Sequence, residues 1–203
     1  EVLRSSPEPV AVTGRAGTVI RASSTSGYPD CPRRAATKLI RREIEAAGFT
    51  LRQTTTGIGA SIGSAVHKAA AIMLQEKAET GTVAPADVSE DAAISELRER
   101  IKDGVIYDKA TASLDTAEMQ VRYMQRAFRE ITHDLNPLLV ERRMEAEVKP
   151  GLILSGQPDV IAQEPDAVDD VKTGVARSPH KPQLGSYSVI ARSHNIPIST
   201  ARE

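Results

Sequence analysis

The stretch Gly156-Gln-Pro-Asp-Val-Ile161 and the nearby run Val168-Asp-Asp-Val-Lys-Thr-Gly174 decide how this chain folds. Each stretch contains a short apolar run. Residues 163–167 between them, Gln-Glu-Pro-Asp-Ala, are rich in the residue types that form turns. The pattern therefore predicts an antiparallel β-hairpin that turns near Glu164 and Pro165.

Such a hairpin brings three ionisable side chains together. Side chains alternate along a strand, so Asp170 and Lys172 are predicted to share a face. Folding the chain back about the turn places Asp159 close to opposite Asp170, in a register that the residues fix to within one position. Two carboxylates this close repel each other, and a divalent cation between them would relieve the repulsion.

The donor set favours Mg²⁺ over Zn²⁺. Mg²⁺ binds through one or two carboxylates and keeps several waters, whereas Zn²⁺ prefers His and Cys. A bound metal lowers the pKa of its water, and Lys172 would orient or deprotonate that nucleophile or stabilise the phosphate oxygens. The trio thus indicates phosphodiester hydrolysis. The alternative is that each residue is a solvated charge beside a turn or on an edge strand.

Together with four other motifs, the hairpin resembles the RecB-like branch of the PD-(D/E)XK nuclease superfamily, which includes nuclease domains of recombination helicases and CRISPR adaptation nucleases. Six motifs follow the family's order between about Arg21 and Tyr187. Besides the two hairpin runs, they are Ser26-Gly-Tyr-Pro-Asp-Cys-Pro-Arg-Arg34, Gly63-Ser-Ala-Val-His67, Val140-Glu141 and Gln183-Leu-Gly-Ser-Tyr187. The specificity of the resemblance lies in the ordered series.

The resemblance implies a role for each matching residue. The metal ligands that it implies are His67, Asp159, Asp170 and the main-chain carbonyl of Val171. It makes Asp159 and Asp170 catalytic together with Lys172, with Mg²⁺ or Mn²⁺ as cofactor. Gln183 and Tyr187, four residues apart on one helical face, would line the DNA side of the site.

Three of these positions have a second reading. A lone histidine in the Ala-rich run around His67 is more often a buried core residue than a ligand. The helix of Tyr187 is equally consistent with packing Leu184 and Tyr187 into the core. Glu141 is assigned a supporting role only, because Glu145 and Glu147 follow at strand spacing and any of the three could face the site.

The cysteine content departs from the family's iron-sulfur members. Those members combine an N-terminal cysteine with three more near the C-terminus, whereas Cys31 is the only cysteine here. We therefore expect no iron-sulfur cluster from this chain, either because it was lost or because the chain is truncated at its C-terminus. The lone cysteine excludes a disulfide framework, and its simplest interpretation is a buried thiol.

Composition is typical of a cytoplasmic globular protein. Of 203 residues, 40% are hydrophobic, 26% charged and 3% aromatic, so Ala, Val, Ile and Leu must build the core. No run is long enough to cross a membrane, and no secretory signal opens the chain. We expect a flexible leader over residues 1–20 and one α/β nuclease domain over 21–203. The resemblance implies a mixed central sheet flanked by helices, with a helical insertion at about 75–135.

Helical patterns are predicted over residues 31–47, 65–79, 89–103 and 113–133, with Ser89 as a cap, and again from Pro182. The first helix carries a basic stripe that is either solvated or a DNA contact: Arg34, Lys38, Arg41 and Arg42. A second such stripe is Arg122, Arg126 and Arg129. The glycine-rich residues 57–63 mimic a dinucleotide-binding turn, but their spacing favours a helix entry.

These observations predict a metal-dependent deoxyribonuclease, acting as an exonuclease in recombination, repair or phage DNA processing. DNA is the expected substrate, and a helicase, a recombinase or another protein is a possible partner because relatives often act inside larger machines. The competing class is an inactive DNA-binding or scaffolding subunit. A nucleotide-cofactor enzyme that uses the glycine-rich turn ranks lowest.

Overall fold

The structure, a computed structural model, describes residues 17–27, 31–51, 55–173 and 180–203, without the side chains of Arg34 and Lys38. The chain divides into two compact units. The described part of the first, here the sheet unit, comprises residues 17–27, 31–51, 141–170 and 180–203. The described part of the second, here the helical unit, comprises residues 55–140 and 171–173.

The described elements follow one another in this order: β1 (Thr18–Arg21), α1 (Ala22–Thr25), α2 (Pro32–Leu39), α3 (Arg41–Ala46), α4 (Ile58–Thr80), α5 (Ala86–Ile101), α6 (Leu114–Thr132), β2 (Pro137–Val140), β3 (Met144–Lys149), β4 (Leu152–Gly156), β5 (Val160–Ala162), β6 (Ala167–Asp169), α7 (Lys181–Ser193) and β7 (Thr200–Arg202). In the sheet unit, β4 pairs in parallel with β1 and antiparallel with β3. Strand β6 pairs antiparallel with β5 and in parallel with β7. Both arrangements are mixed, as the sequence predicts for an α/β fold.

The predicted hairpin is confirmed. Val160 pairs with Asp169, and Ala162 pairs with Ala167. The strand ends at Asp169, opposite Arg202 of β7, so neither neighbouring strand continues beside residues 171 and 172. The strand therefore does not extend to Asp170 and Lys172, and their shared face stays a prediction.

Helix α7 covers the sheet unit's strands, and it contacts β3, β4, β6 and β7. It begins at Lys181 with Pro182 in its first turn, as predicted. Leu184, Tyr187 and Ile190 are buried. The apolar face of this helix therefore packs into the core, which is one of the two readings that the sequence allowed.

The helical unit is built from α4, α5 and α6, and β2 packs against α4. Its core consists of small and aliphatic side chains: Ile58, Ile62, Ala65, Val66, Ala69, Met73, Ala93, Ile94, Leu97, Ala117 and Val121. Helix α4 begins directly after Gly57, so the glycine-rich run is a helix entry. Ser113 caps α6, since its hydroxyl accepts a hydrogen bond from the Thr116 amide at 3.2 Å.

Several predicted boundaries are wrong for identifiable reasons. Ser89 lies inside the first turn of α5, where the amide of Gln125 donates to its hydroxyl at 2.7 Å, so a buried polar contact occupies the predicted cap. The predicted helix over residues 31–47 is interrupted at Ile40. Cys31, expected to be buried, is only half-buried because it lies at the start of α2. Strand β1 begins at Thr18, within the predicted leader.

Within the described residues, no helix combines the length and the apolar character that a membrane crossing requires.

Candidate active site

Asp159 and Asp170 flank the hairpin of β5 and β6. Extending the observed register by one residue beyond Val160 and Asp169 places these two aspartates opposite each other, as predicted. Both are largely buried, with 9% and 4% of their surface exposed. Burial in a low-dielectric surrounding makes two opposed carboxylates unfavourable unless other groups or a cation stabilise them.

Glu141 joins this pair from the chain segment just before β3. Its main-chain N–H donates to the carbonyl of Asp159 at 3.0 Å, and its φ of 49° holds the backbone in the left-handed region. One carboxylate oxygen of Glu141 lies within 4.8 Å of one of Asp159. The side-chain amide of Gln157 donates to the Glu141 Oε2 at 2.7 Å. The carboxylate of Glu141 is therefore a direct neighbour of Asp159, whereas the sequence assigned Glu141 a supporting role only.

The two other glutamates of this region have different surroundings. The side chain of Glu147 accepts a hydrogen bond from the Gly151 N–H at 2.9 Å, across the turn between β3 and β4. The main-chain carbonyl of Glu145 lies 2.8 Å from the His194 Nε2. Of the three alternatives that the sequence left open, Glu141 is the one whose carboxylate is placed beside Asp159.

Helix α7 supplies a polar pair to the same cluster. The side-chain amide of Gln183 donates both to the Asp170 Oδ1 at 3.2 Å and to the Tyr187 hydroxyl at 2.9 Å. Gln183 and Tyr187 are 8% and 5% exposed. Because Gln183 and Tyr187 are four residues apart, they lie on one face of α7. The Gln183 amide therefore links the Asp170 Oδ1 to the Tyr187 hydroxyl.

Burial, together with the neighbouring acids, keeps the Tyr187 hydroxyl protonated. Burial is the largest cause that raises the pKa of Tyr187 to about 12, and the charges of Asp170, Asp159 and Glu141 raise it further, while the bond from Gln183 opposes the shift. Because the hydroxyl oxygen accepts from Gln183, its proton remains a donor at neutral pH. The pKa of Tyr187 is thus raised by all three carboxylates.

Gly156 makes room for this arrangement. A Cβ at position 156 would lie 2.8 Å from two ring carbons of Tyr187 and 3.0 Å from the Cδ1 of Ile190. The end of β4 and the ring of Tyr187 therefore approach each other more closely than any side chain at position 156 would permit.

In the helical unit, His67 lies on α4 among buried neighbours but is itself only half-buried. A Cβ on Gly63, one turn earlier, would lie 3.1 Å from the Thr173 Oγ1. The face of α4 that carries Gly63 and, four residues on, His67 is thus turned towards the segment that contains Val171 and Lys172. His67 is not the fully buried core histidine that the alternative reading supposed.

The predicted basic stripes are less informative. The side chains of Arg34 and Lys38 lie outside the part of the chain that the structure describes. In the helical unit, Arg122 forms ion pairs with Glu90 at 2.9 Å and with Glu118 at 3.2 Å, and the Arg129 side chain donates to the Ala84 carbonyl. These arginines connect α6 to its neighbours, which is a structural role.

The oxygen-rich cluster fits a hard divalent cation. Asp159 and Glu141 offer carboxylate oxygens within 4.8 Å of each other, and Asp170 directly follows the strand that pairs with β5; carboxylate oxygen is the donor type that Mg²⁺ and Mn²⁺ take. A cation bound there would offset the repulsion among the acids. No thiol lies among these donors, so the set is unsuited to a thiophilic metal.

Comparison with known protein families identifies the class. Residues 21–201 match the model of the PD-(D/E)XK nuclease superfamily, and the chain belongs to that superfamily. No curated protein matches this sequence. Membership implies a nuclease that uses a divalent metal and acts on DNA, and the mixed α/β architecture agrees with the superfamily's fold.

Sequence reasoning missed two contacts of the cluster. Nothing in the spacing of Gln183 indicated that it binds an Asp170 oxygen, and the proximity of Glu141 to Asp159 had only the Val140-Glu141 step as a signal. Both contacts join residues that are distant along the chain.

Proposed function

We propose that this chain is a metal-dependent deoxyribonuclease of the RecB-like branch, which hydrolyses DNA phosphodiester bonds as an exonuclease. The observation that carries the proposal is the opposed pair of largely buried aspartates, Asp159 and Asp170, with the carboxylate of Glu141 beside it. Burying carboxylates close to one another costs free energy unless it is compensated, so their grouping favours a functional role over a structural one.

The ligands we propose are Asp159, Asp170, the main-chain carbonyl of Val171 and the imidazole of His67. The first two rest on the hairpin geometry, and the other two rest on the family motifs. A bound Mg²⁺ or Mn²⁺ supplies a water of lowered pKa and offsets charge that grows on the phosphate. Glu141, fixed by Gln157, would hold a further metal-bound water through its carboxylate.

Lys172 is proposed to serve the nucleophile. It is half-buried, and it follows Asp170 by two residues in the segment that α4 approaches at Gly63. An ammonium group there would orient the attacking water or stabilise the pentavalent phosphate oxygens. Because β6 ends at Asp169, the proposed role of Lys172 rests on the family motif and not on its position in a strand.

Gln183 and Tyr187 are proposed to line the DNA side while also holding Asp170. The Gln183 amide fixes one oxygen of Asp170, and the protonated phenol of Tyr187 can donate to a phosphate oxygen. Arg34 and Lys38 are retained as proposed phosphate contacts. A helicase or recombinase partner, a cytoplasmic location and a process in recombination, repair or phage DNA metabolism also belong to the proposal.

The test is cleavage of labelled linear and circular DNA, single- and double-stranded, with Mg²⁺, Mn²⁺ or EDTA. Wild type is compared with Asp170→Asn and Lys172→Gln. We expect metal-dependent release of nucleotides from linear DNA, which either substitution reduces by more than about 100-fold. Glu164→Gln, which removes an exposed charge from the turn of the same hairpin, should retain wild-type cleavage.

The other outcomes are equally informative. Cleavage of circular DNA would make the enzyme an endonuclease, and degradation of RNA alone would change the substrate. DNA binding without cleavage under every metal condition would show an inactive binding or scaffolding subunit and would overturn the proposal.

A further inference from the structure

Arg202 and Asp169 form a bidentate ion pair at the end of the hairpin. The Nε of Arg202 lies 2.6 Å from the Asp169 Oδ1, and its Nη2 lies 2.8 Å from the Oδ2. The two residues are register partners on the parallel strands β7 and β6. Two parallel hydrogen bonds between a guanidinium and a carboxylate restrict both distance and orientation, which a single contact does not.

The same residue also contacts the next position of the hairpin through its backbone. The main-chain N–H of Asp170 donates to the carbonyl of Arg202 at 3.1 Å. Arg202 therefore fixes two consecutive residues, Asp169 by its side chain and Asp170 by its carbonyl. The guanidinium bonds the two carboxylate oxygens of Asp169, whereas an oxygen of Asp170 accepts from a different residue, Gln183.

A second constraint acts on the Asp170 carboxylate from the other direction. Gln183 on α7 donates to its Oδ1. The side chain of Asp170 is thus held by α7 while its backbone is held by β7. The pairing of β5 with β6 stops at Asp169, so the backbone contact at position 170 depends on the position of β7, which the bidentate ion pair of Arg202 with Asp169 helps to fix.

We propose that Arg202 is a positioning residue for Asp170, acting through its fork on Asp169 and through its own carbonyl. The inference rests on the proposed function, in which Asp170 is a metal ligand. Arg202 touches neither metal nor DNA in this role. Its effect is to fix the position of the Asp170 carboxylate. Mutation of a residue that positions a metal ligand typically lowers metal affinity or activity by about 10- to 100-fold.

The experiment compares the wild-type chain with Arg202→Gln, Asp169→Asn and the exchanged pair Arg202→Asp with Asp169→Arg. Two quantities are measured: Mn²⁺ binding by electron paramagnetic resonance without DNA, and the Mn²⁺ concentration that gives half-maximal cleavage. Arg202→Gln and Asp169→Asn should each raise the dissociation constant for Mn²⁺ by about tenfold. Each should raise the Mn²⁺ concentration for half-maximal cleavage by the same factor. The cleavage rate at saturating Mn²⁺ should stay within about threefold of wild type, because a displaced ligand is recovered by mass action.

A merely structural role would not produce that split. It would lower the amount of active enzyme at every metal concentration, and thermal unfolding in EDTA would reveal it. The exchanged pair restores the ion pair in reverse and should recover part of the metal affinity. Arg100→Gln removes an arginine from an ion pair within one helix, with Glu96 on α5, and should leave metal affinity unchanged.

The results separate the two proposals. If wild type cleaves DNA and Arg202→Gln binds Mn²⁺ as wild type does, the positioning role is wrong and the nuclease stands. If wild type binds Mn²⁺ more tightly than Arg202→Gln but cleaves nothing, the positioning role stands and the nuclease is wrong. A wild-type chain that binds no Mn²⁺ overturns both.

Discussion

The helical unit and the sheet unit differ in the polar side chains that they bury beside their apolar ones. The core of the helical unit is apolar, with residues such as Met73 and Leu97 fully enclosed among alanines and isoleucines. The sheet unit buries Asp159 and Asp170 at strand ends, with Gln183 and Tyr187 against them. Apolar burial stabilises a fold, whereas buried charge destabilises it unless it is compensated. The difference leads us to expect that substitutions of the buried aspartates affect cleavage, whereas substitutions in the apolar core of the helical unit affect stability.

The largest effect is expected from Asp159→Asn. The change keeps the shape of the side chain but removes the charge, so cleavage should fall by more than about 100-fold. Stability in EDTA should stay the same or rise, because a carboxylate within 4.8 Å of Glu141 is no longer present. Cleavage assays and thermal unfolding measure the two effects. An unfolded variant would contradict the comparison, since Asp159 would then be a structural residue.

Leu97→Ala tests the other side of the comparison. Leu97 is fully buried in the core of the helical unit, and its truncation should lower the free energy of unfolding by about 2–5 kcal/mol. Cleavage per folded molecule should be unchanged. Urea denaturation gives the stability. Val88→Ala, at a half-exposed position on the same helix, should cost no more than about 0.5 kcal/mol.

Gly156→Ala should affect both stability and activity. The new methyl group would overlap the ring of Tyr187, so we expect a loss of about 1–3 kcal/mol. Displacement of Tyr187 and Gln183 should also reduce cleavage by about tenfold. Gly185→Ala is the matched control, because a Cβ there meets no atom within 4 Å and alanine favours the helix. Equal behaviour of the two variants would refute the close packing at position 156.

The smallest effect concerns pH. Tyr187 ionises near pH 10 in the unfolded chain and at about 12 in the folded protein. Between these values the unfolded state has lost a proton that the folded state retains, so the Tyr187 contribution to stability is complete below pH 10 and falls as pH rises towards 12. Urea denaturation at several alkaline pH values should show a steeper decline for wild type than for Tyr187→Phe. Parallel declines would mean that Tyr187 is not buried beside the acids.

Local patterns predicted several parts of the fold well. The turn residues around Glu164 and Pro165 predicted the hairpin, and its register to within one position, because paired residues only a few positions from the turn are constrained by chain geometry. Pro182 predicted the start of α7. Ser89 failed as a cap because a non-local bond to Gln125 outweighed the local preference.

The sequence by itself determined the class of protein and the aspartate pair, since the ordered motifs and the hairpin depend on residue type and short spacing. Only the tertiary structure decided that Glu141 stands beside Asp159, that Gln183 holds an oxygen of Asp170, and that Arg202 grips Asp169 from 33 residues away. Contacts of this length depend on how β7 and α7 pack within the sheet unit. No local propensity specifies that packing, because it results from the burial of whole elements against one another.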